Sequence, residues 1–227
     1  MYCLWCDQEV IPQLSWTNLL LPERTRNICE SCENGFLLLN GKHCLKCSRL
    51  SDETICSDCV KWENDPTWQG VLSFNQSVYS YNPMLRDVVT KWKYRGDYLL
   101  RDIFQYTFKD VFDDRFVKWE KEAIIVPIPL SEERMLERGF NQAESLAQLL
   151  KLPYQKPLSR VHGEKQSKKT RKERIDSKNP FEIKVQVSHP VILIDDIYTT
   201  GMTLRHAAKL LKNQGCPEVF AFTLARG

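Results

Sequence analysis

Apolar side chains show no regular spacing over the first 62 residues. They become patterned only after the turn-forming stretch Asn64-Asp-Pro-Thr-Trp-Gln-Gly70. Two stretches of strand character follow, Val71–Phe74 and Val78–Tyr81. Asn82-Pro83 then reads as a helix N-cap with proline at the first helical position. Leu85, Val88, Val89 and Trp92 come next at i, i+3, i+4 and i+7, the apolar stripe of a surface helix. A second helical segment is expected over Leu99–Phe112, with Asp113–Lys121 as a charged connector. Ala123–Pro127 and Val191–Ile194 are apolar runs without alternation, which suits strands covered on both faces. Asn141 and Glu144 have capping-box spacing, and Leu146, Leu149 and Leu150 continue that helix. Leu204, Ala207, Ala208 and Leu211 mark another helix, closed by Gly215, before a last strand at Val219–Leu224. Strands alternating with helices predict an α/β fold, a parallel sheet with helices on both faces.

Composition adds a second part to this picture. A chain of 227 residues can hold one sizeable core and one small module. The expected division is residues 1–62 and residues 63–227. No run of about 18 apolar residues occurs, so membrane insertion is not expected. The start, MYCLWCDQEV, lacks the basic and apolar regions of a secretory signal, so the expected location is cytoplasmic, where thiols stay reduced. Net charge is +3, unevenly spread: residues 1–63 carry six Lys/Arg against nine Asp/Glu, and residues 64–227 carry 26 against 20. Any surface that meets a polyanion is therefore expected in the second part.

Eight cysteines of the first segment form four C-x2-C pairs: Cys3/Cys6, Cys29/Cys32, Cys44/Cys47 and Cys56/Cys59. Two intervening residues let both sulfurs reach one ion in a tight turn, so the pattern predicts two structural zinc sites of four cysteines each. Sequential pairing is favoured because the last four cysteines close on themselves over a short span. Spacing alone leaves a cross-braced pairing open. Disulfides are disfavoured in a reducing compartment, and a redox role would need one such pair opening a helix after a strand.

The strongest single motif is Val191-Ile-Leu-Ile-Asp195-Asp196-Ile-Tyr-Thr199-Thr200-Gly201-Met202-Thr203. A buried strand ends in two carboxylates, a Thr/Gly turn follows, and a helix begins. Backbone N–H groups of such a turn and the helix N-terminus favour an anion. Thr199, Thr200 and Thr203 add hydroxyl donors, and Gly201 permits close approach. The two acids would repel a triphosphate but can accept hydrogen bonds from ribose hydroxyls. The motif therefore reads as phosphate at one end and ribose diol at the other.

These residues resemble the phosphoribosyl-pyrophosphate (PRPP) motif of type I phosphoribosyltransferases. The wider layout is similar to the ComF family, the competence and GntX-like proteins of bacteria, which share an N-terminal double zinc ribbon. The shared features include the VPIPL strand end at Val126–Leu130, Arg138-Gly139-Phe140-Asn141-Gln142, and a basic loop with Arg171, Arg174 and Asn179. The resemblance implies a phosphoribosyltransferase-like domain with Asp195 and Asp196 as catalytic residues that meet the ribose 2′ and 3′ hydroxyls. It implies that Thr199, Thr200, Gly201, Met202 and Thr203 hold the 5′-phosphate. Pyrophosphate would lie at the turn containing Pro127, Ile128 and Pro129, assisted by Arg138, with Mg²⁺ bridging it to ribose. Positioning and charge stabilisation would suffice for transfer through an oxocarbenium-like state. The sequence ends three residues after the last apolar run, so acceptor recognition is expected from residues 63–120 or the cysteine module.

The resemblance also implies a cytoplasmic role in natural transformation, with a helicase-type DNA-translocating ATPase as partner where single-stranded DNA enters. The residues offer weak, non-specific single-stranded DNA binding through Lys165, Lys168, Lys169, Arg171, Lys172 and Arg174, joined by Arg160, Lys91, Lys93 and Arg95. Trp92 and Tyr94 are candidate base-stacking side chains. The same basic segment could instead be a solvated loop or one that closes over the phosphate site. Whether the pocket turns over as a phosphoribosyltransferase on some acceptor is the alternative function.

Overall fold

The computed structural model describes residues 1–11, 26–94, 97–119, 121–161 and 179–227. In chain order its elements are α1 (Glu30–Glu33), β1 (Leu37–Leu38), α2 (Ser57–Asn64), β2 (Asn75–Ser80), α3 (Pro83–Tyr94), a 3-10 turn (Tyr98–Ile103), α4 (Gln105–Phe116), β3 (Ile124–Pro127), α5 (Glu132–Arg138) and α6 (Gln142–Leu149). There follow β4 (Leu158–Arg160), β5 (Phe181–Ile183), β6 (Val191–Tyr198), α7 (Met202–Asn213) and β7 (Val219–Arg226).

Five strands form one sheet in the order β1-β2-β7-β6-β3. The last four run parallel, and β1 joins the edge antiparallel, with Leu37 opposite Ser80. The expected parallel sheet is thus present, extended by a strand from the cysteine-rich segment. Its strands alternate between two buried faces, which is why they read as unbroken apolar runs. Ile192, Ile194, Phe220, Phe222 and Leu224 pack with α3, α4 and α6. Val191, Leu193, Val219 and Ala221 pack with α7. The cysteine groups divide the same way: Cys3, Ile28 and Phe36 belong to the first face, and Cys44, Cys47, Cys56 and Cys59 to the second.

Helix α3 forms as its stripe predicts. Leu85, Val88, Val89 and Trp92 are all buried, and Asn82 Oδ1 accepts from Leu85 N at 2.9 Å. Full burial of Trp92 removes it as a base-stacking candidate. Asn82 Nδ2 also donates to the Gly35 carbonyl at 2.8 Å, tying the helix to the cysteine-rich segment.

Several elements differ from the sequence reading, among them β6, which continues past Ile194 to Tyr198, and β7, which continues past Leu224 to Arg226. Val71–Phe74 is not a strand; Val71, Leu72 and Phe74 are buried as packing residues ahead of β2, which begins at Asn75. The segment after α3 opens as a 3-10 turn, and α4 then runs to Phe116 rather than ending at Phe112. Phe108, Phe112 and Phe116 recur every four residues on one face and pack against Phe220 and Phe222 in tilted and edge-to-face contacts, so tertiary burial carries the helix into the charged stretch. Helix α5 lies in a stretch the pattern left unassigned; Ser131 caps it and Gly139, at φ 77°, closes it.

Asn141 caps α6 by accepting from Ala143 N at 3.0 Å. Glu144 does not complete a capping box; its carboxylate accepts from the Tyr154 hydroxyl at 2.8 Å and pairs with Lys156. The basic segment is flanked by an antiparallel pair, β4 and β5, with Arg160 opposite Phe181.

Candidate functional site

The carboxyl ends of β3 and β6 open into a cleft of about 450 Å³. This edge is where doubly wound sheets bind ligands, because helix N-termini and turn amides converge there. Residues Asp195 to Leu204 form its floor; Ile128, Leu130 and Asn141 form one side; and Lys93, Tyr94, Arg134, Arg138 and Arg160 surround its mouth.

The floor is a tight turn between β6 and α7. Thr200 Oγ1 accepts from Met202 N at 3.3 Å. Gly201 adopts φ +76°, where a Cβ would overlap the Tyr198 hydroxyl and the Arg205 guanidinium. Only glycine fits both that backbone conformation and that close approach. Helix α7 starts at the next residue and aims its first turn at the cleft. Thr199 is exposed, Thr200 and Thr203 are half-buried, and all three residues line the cleft.

The two acids have different environments. Asp195 Oδ1 accepts from Asp196 N at 2.9 Å. Burial pushes Asp195 up to about 6, against the pull of Lys93, Arg160, Arg138 and Arg134. Asp196 is ion-paired with Lys93. Burial, with Arg138 and Arg134 nearby, holds the Lys93 ammonium down at about 8. Burial likewise lowers the Arg138 and Arg160 guanidiniums below their ordinary values. Four basic side chains therefore converge on two carboxylates, an arrangement able to take a phosphate ester and a vicinal diol together.

Local structure explains the placement. Arg134 and Arg138 are one helical turn apart on α5 and share a face. Arg138 Nη1 donates to Gln142 Oε1 at 2.8 Å. Asn141 Nδ2 donates to the Ile128 carbonyl at 2.9 Å, fixing the turn after β3 against α6. Lys93 and Tyr94 enter from the end of α3, and Arg160 from β4, where its guanidinium lies 5.4 Å from the Phe181 ring centre.

Of the sequence-predicted residues, Asp195, Asp196, Thr199, Thr200, Gly201, Met202, Thr203, Ile128 and Arg138 line one cleft. Pro127 and Pro129 are not part of its lining: Pro127 ends β3, paired with Ile194. Lys165, Lys168, Lys169, Arg171, Lys172 and Arg174 lie outside the described residues, as does Arg95. The sequence reading did not place Arg134, Asn141 or Gln142 in the site. The i, i+4 spacing of Arg134 and Arg138 just after the β3 turn was the available signal.

The eight N-terminal cysteines gather as Cys3/Cys6/Cys29/Cys32 and Cys44/Cys47/Cys56/Cys59, the sequential pairing, with the sulfurs of each group within 4.8 Å of one another. Cys6 and Cys29 sulfurs, and Cys47 and Cys56 sulfurs, are 3.7 Å apart. A tetrahedron of about 2.3 Å zinc–sulfur bonds has edges of about 3.8 Å, whereas a disulfide needs about 2.05 Å. Both tetrads thus fit a four-thiolate metal ion such as zinc. The second tetrad is wholly buried; in the first, Cys3 is buried, Cys29 and Cys32 are half-buried and Cys6 is exposed. Among the described residues no helix is long and apolar enough to cross a membrane.

Comparison with known proteins gives a consistent result. The phosphoribosyl transferase domain family matches residues 108–227. The chain is 38% identical, over all of its length and 95% of the other protein, to the competence protein ComFC of Bacillus subtilis. It is 34% identical to the competence protein ComFC of Streptococcus pneumoniae over the full length of both. The DNA utilization protein YhgH of Escherichia coli is 27% identical over 88% of this chain and 96% of its own.

Proposed function

The chain belongs to the ComF family, with its phosphoribosyltransferase-type domain, and from that membership we propose that it acts in DNA uptake during competence while retaining a pocket for PRPP or a similar ribose phosphate. The observation that carries this reading is the cleft itself. Asp195 and Asp196 stand at the end of β6 beside the Thr199–Thr203 loop, with Lys93, Arg134, Arg138 and Arg160 facing them. In this reading the carboxylates accept the ribose hydroxyls, and the loop amides and threonine hydroxyls take the 5′-phosphate. The basic side chains take the pyrophosphate or the next phosphate of a strand, and bound Mg²⁺ would neutralise charge between ribose and pyrophosphate.

Single-stranded DNA fits the same basic mouth. Tyr94 is 59% exposed there and presents a face on which one base can stack. The partner in this reading is a helicase-type ATPase docked on the cysteine module. That module carries more acids than bases and exposes Leu37, Leu38, Leu45 and Leu50, features suited to protein rather than DNA. Tyr94 also favours a second reading, transfer of the phosphoribosyl group to a base-containing acceptor, which a pyrophosphate-release assay would detect.

The test is calorimetric titration of PRPP with Mg²⁺ into the wild type and the Asp195→Asn/Asp196→Asn double variant. Hydrogen bonds to charged acceptors contribute about 1.5–3 kcal/mol each, so saturable wild-type binding should weaken at least about tenfold in the variant. Equal affinity in both proteins, or none in the wild type, would overturn the pocket assignment.

A further inference from the structure

The second cysteine tetrad lies directly behind the phosphate loop. Its knuckle is fastened to β2: Asn75 N donates to the Lys46 carbonyl at 2.9 Å, and the Ser48 hydroxyl donates to the Asn75 carbonyl at 2.8 Å. On its other side α2 presents Trp62, with the Arg205 guanidinium 4.5 Å from that ring's centre. Arg205 Nη1 in turn donates to the Tyr198 hydroxyl at 2.7 Å, the group packed under Gly201.

Arg226, at the end of β7, closes the connection. It is 7% exposed. Its Nη1 donates to the carbonyls of Tyr198 and Thr199, both at 3.1 Å, and also contacts the Gly227 oxygen. Its Nη2 reaches the Cys47 sulfur at 3.8 Å, and its guanidinium lies 4.9 Å from the centre of the Tyr198 ring. Among the described residues its polar contacts are these carbonyls, the Gly227 oxygen and the Cys47 sulfur, with no Asp or Glu side chain among them. A buried guanidinium needs a compensating negative charge. Four thiolates around one divalent ion carry a net charge of −2, and the Cys47 sulfur is the member of that set that Arg226 touches.

We propose that Arg226 is a positioning residue that couples metal occupancy of the Cys44/Cys47/Cys56/Cys59 tetrad to the shape of the phosphate loop, so that the metal-loaded tetrad raises affinity for a ribose phosphate. With the metal bound, the thiolate cluster holds the guanidinium in place, and the guanidinium holds the Tyr198 and Thr199 carbonyls that turn the chain into the loop. Without it, the four sulfurs are no longer held together, and the guanidinium that rests on Cys47 is held less firmly against those carbonyls. The binding half of this inference rests on the cleft being a ribose-phosphate site; the loop-order half does not.

The experiment compares full-length wild type, Arg226→Gln and Arg226→Lys, each zinc-loaded, by hydrogen–deuterium exchange. Metal content is measured alongside. Exchange over residues 196–206 should be about tenfold faster in Arg226→Gln with two metal ions still bound, as expected on losing hydrogen bonds to a charged donor. Arg226→Lys should recover part of the protection, since lysine keeps the charge but not the fork. Withdrawing metal from the wild type should speed the same segment while residues 191–194 stay protected. By reciprocity, saturating PRPP with Mg²⁺ should slow zinc release from the second tetrad in the wild type and not in Arg226→Gln. Wild-type exchange rates in Arg226→Gln, or loop protection indifferent to metal withdrawal, would sink the coupling. Absence of PRPP binding in the wild type would instead remove the ribose-phosphate reading, and the exchange rates would still decide whether Arg226 links tetrad to loop.

Discussion

Lys93 and Asp195 set the electrostatics of the cleft between them. Each is shifted towards its neutral form by burial, Asp195 up to about 6 and Lys93 down to about 8. In the ribose-phosphate site proposed above both would act charged, Asp195 as acceptor for a hydroxyl and Lys93 as counter-charge. Asp195 takes up a proton as pH falls through about 6, and Lys93 loses one as pH rises through about 8. Affinity for PRPP with Mg²⁺ should therefore peak between these values and fall on both sides, as calorimetry across pH 5–9 would show. Arg at position 93 stays charged throughout, so Lys93→Arg should abolish the alkaline decline and leave the acid one. An unchanged alkaline limb in that variant would assign the decline to another group.

Helix α4 owes its length to aromatic packing rather than to local preference. Its last turn contains Asp113, Asp114 and Arg115, which read as a connector, yet Phe112 and Phe116 are buried against the sheet. Phe112 lies 5.0 Å from Phe116 and 5.4 Å from Phe222, centre to centre. Truncation there removes a large buried ring and leaves a cavity. Phe112→Ala is expected to cost about 3–5 kcal/mol, read as a lowered urea midpoint with unchanged slope. A cost near zero would mean this face is not a packed core. Helix α6 shows the opposite case: Asn141 follows the local capping rule, and Glu144 abandons it because Tyr154 and Lys156 come within reach from the chain beyond the helix.

At the scale of the whole molecule, the sheet separates the two tetrads. The first packs on the α3/α4 face beside Trp5, whose ring centre lies 5.6 Å from the Lys91 ammonium. The second is buried on the α7 face, joined through Arg226 to the Tyr198–Thr199 turn. Exposure of Cys6 opens the first site to a competing chelator. Zinc release should occur in two phases of equal amplitude, the fast one removed by Cys6→Ser. A single phase would show that the two sites open together.

Motifs with local causes were legible in the sequence. The four C-x2-C pairs, the Asn82-Pro83 helix start, the apolar cores of β3, β6 and β7, and the turn at Thr199–Gly201 each depend on neighbours a few residues away; only the end of β6 shifts, to Tyr198, so that Asp195 and Asp196 stand within the strand. Sequential pairing of the cysteines was favoured by the short span over which the last four close on themselves, and the sulfur positions show that pairing. What tertiary structure decided has no short-range signature. Arg134, Asn141 and Arg160 join the cleft only because the turn after β3, α5 and β4 converge on the end of β6. Arg226 meets Cys47 from the opposite end of the chain, since β7 lies beside β2 and the second cysteine knuckle is fastened to β2. Spacing fixes which side chains share a turn; only the sheet order, set by burial on both of its faces, fixes which turns become neighbours.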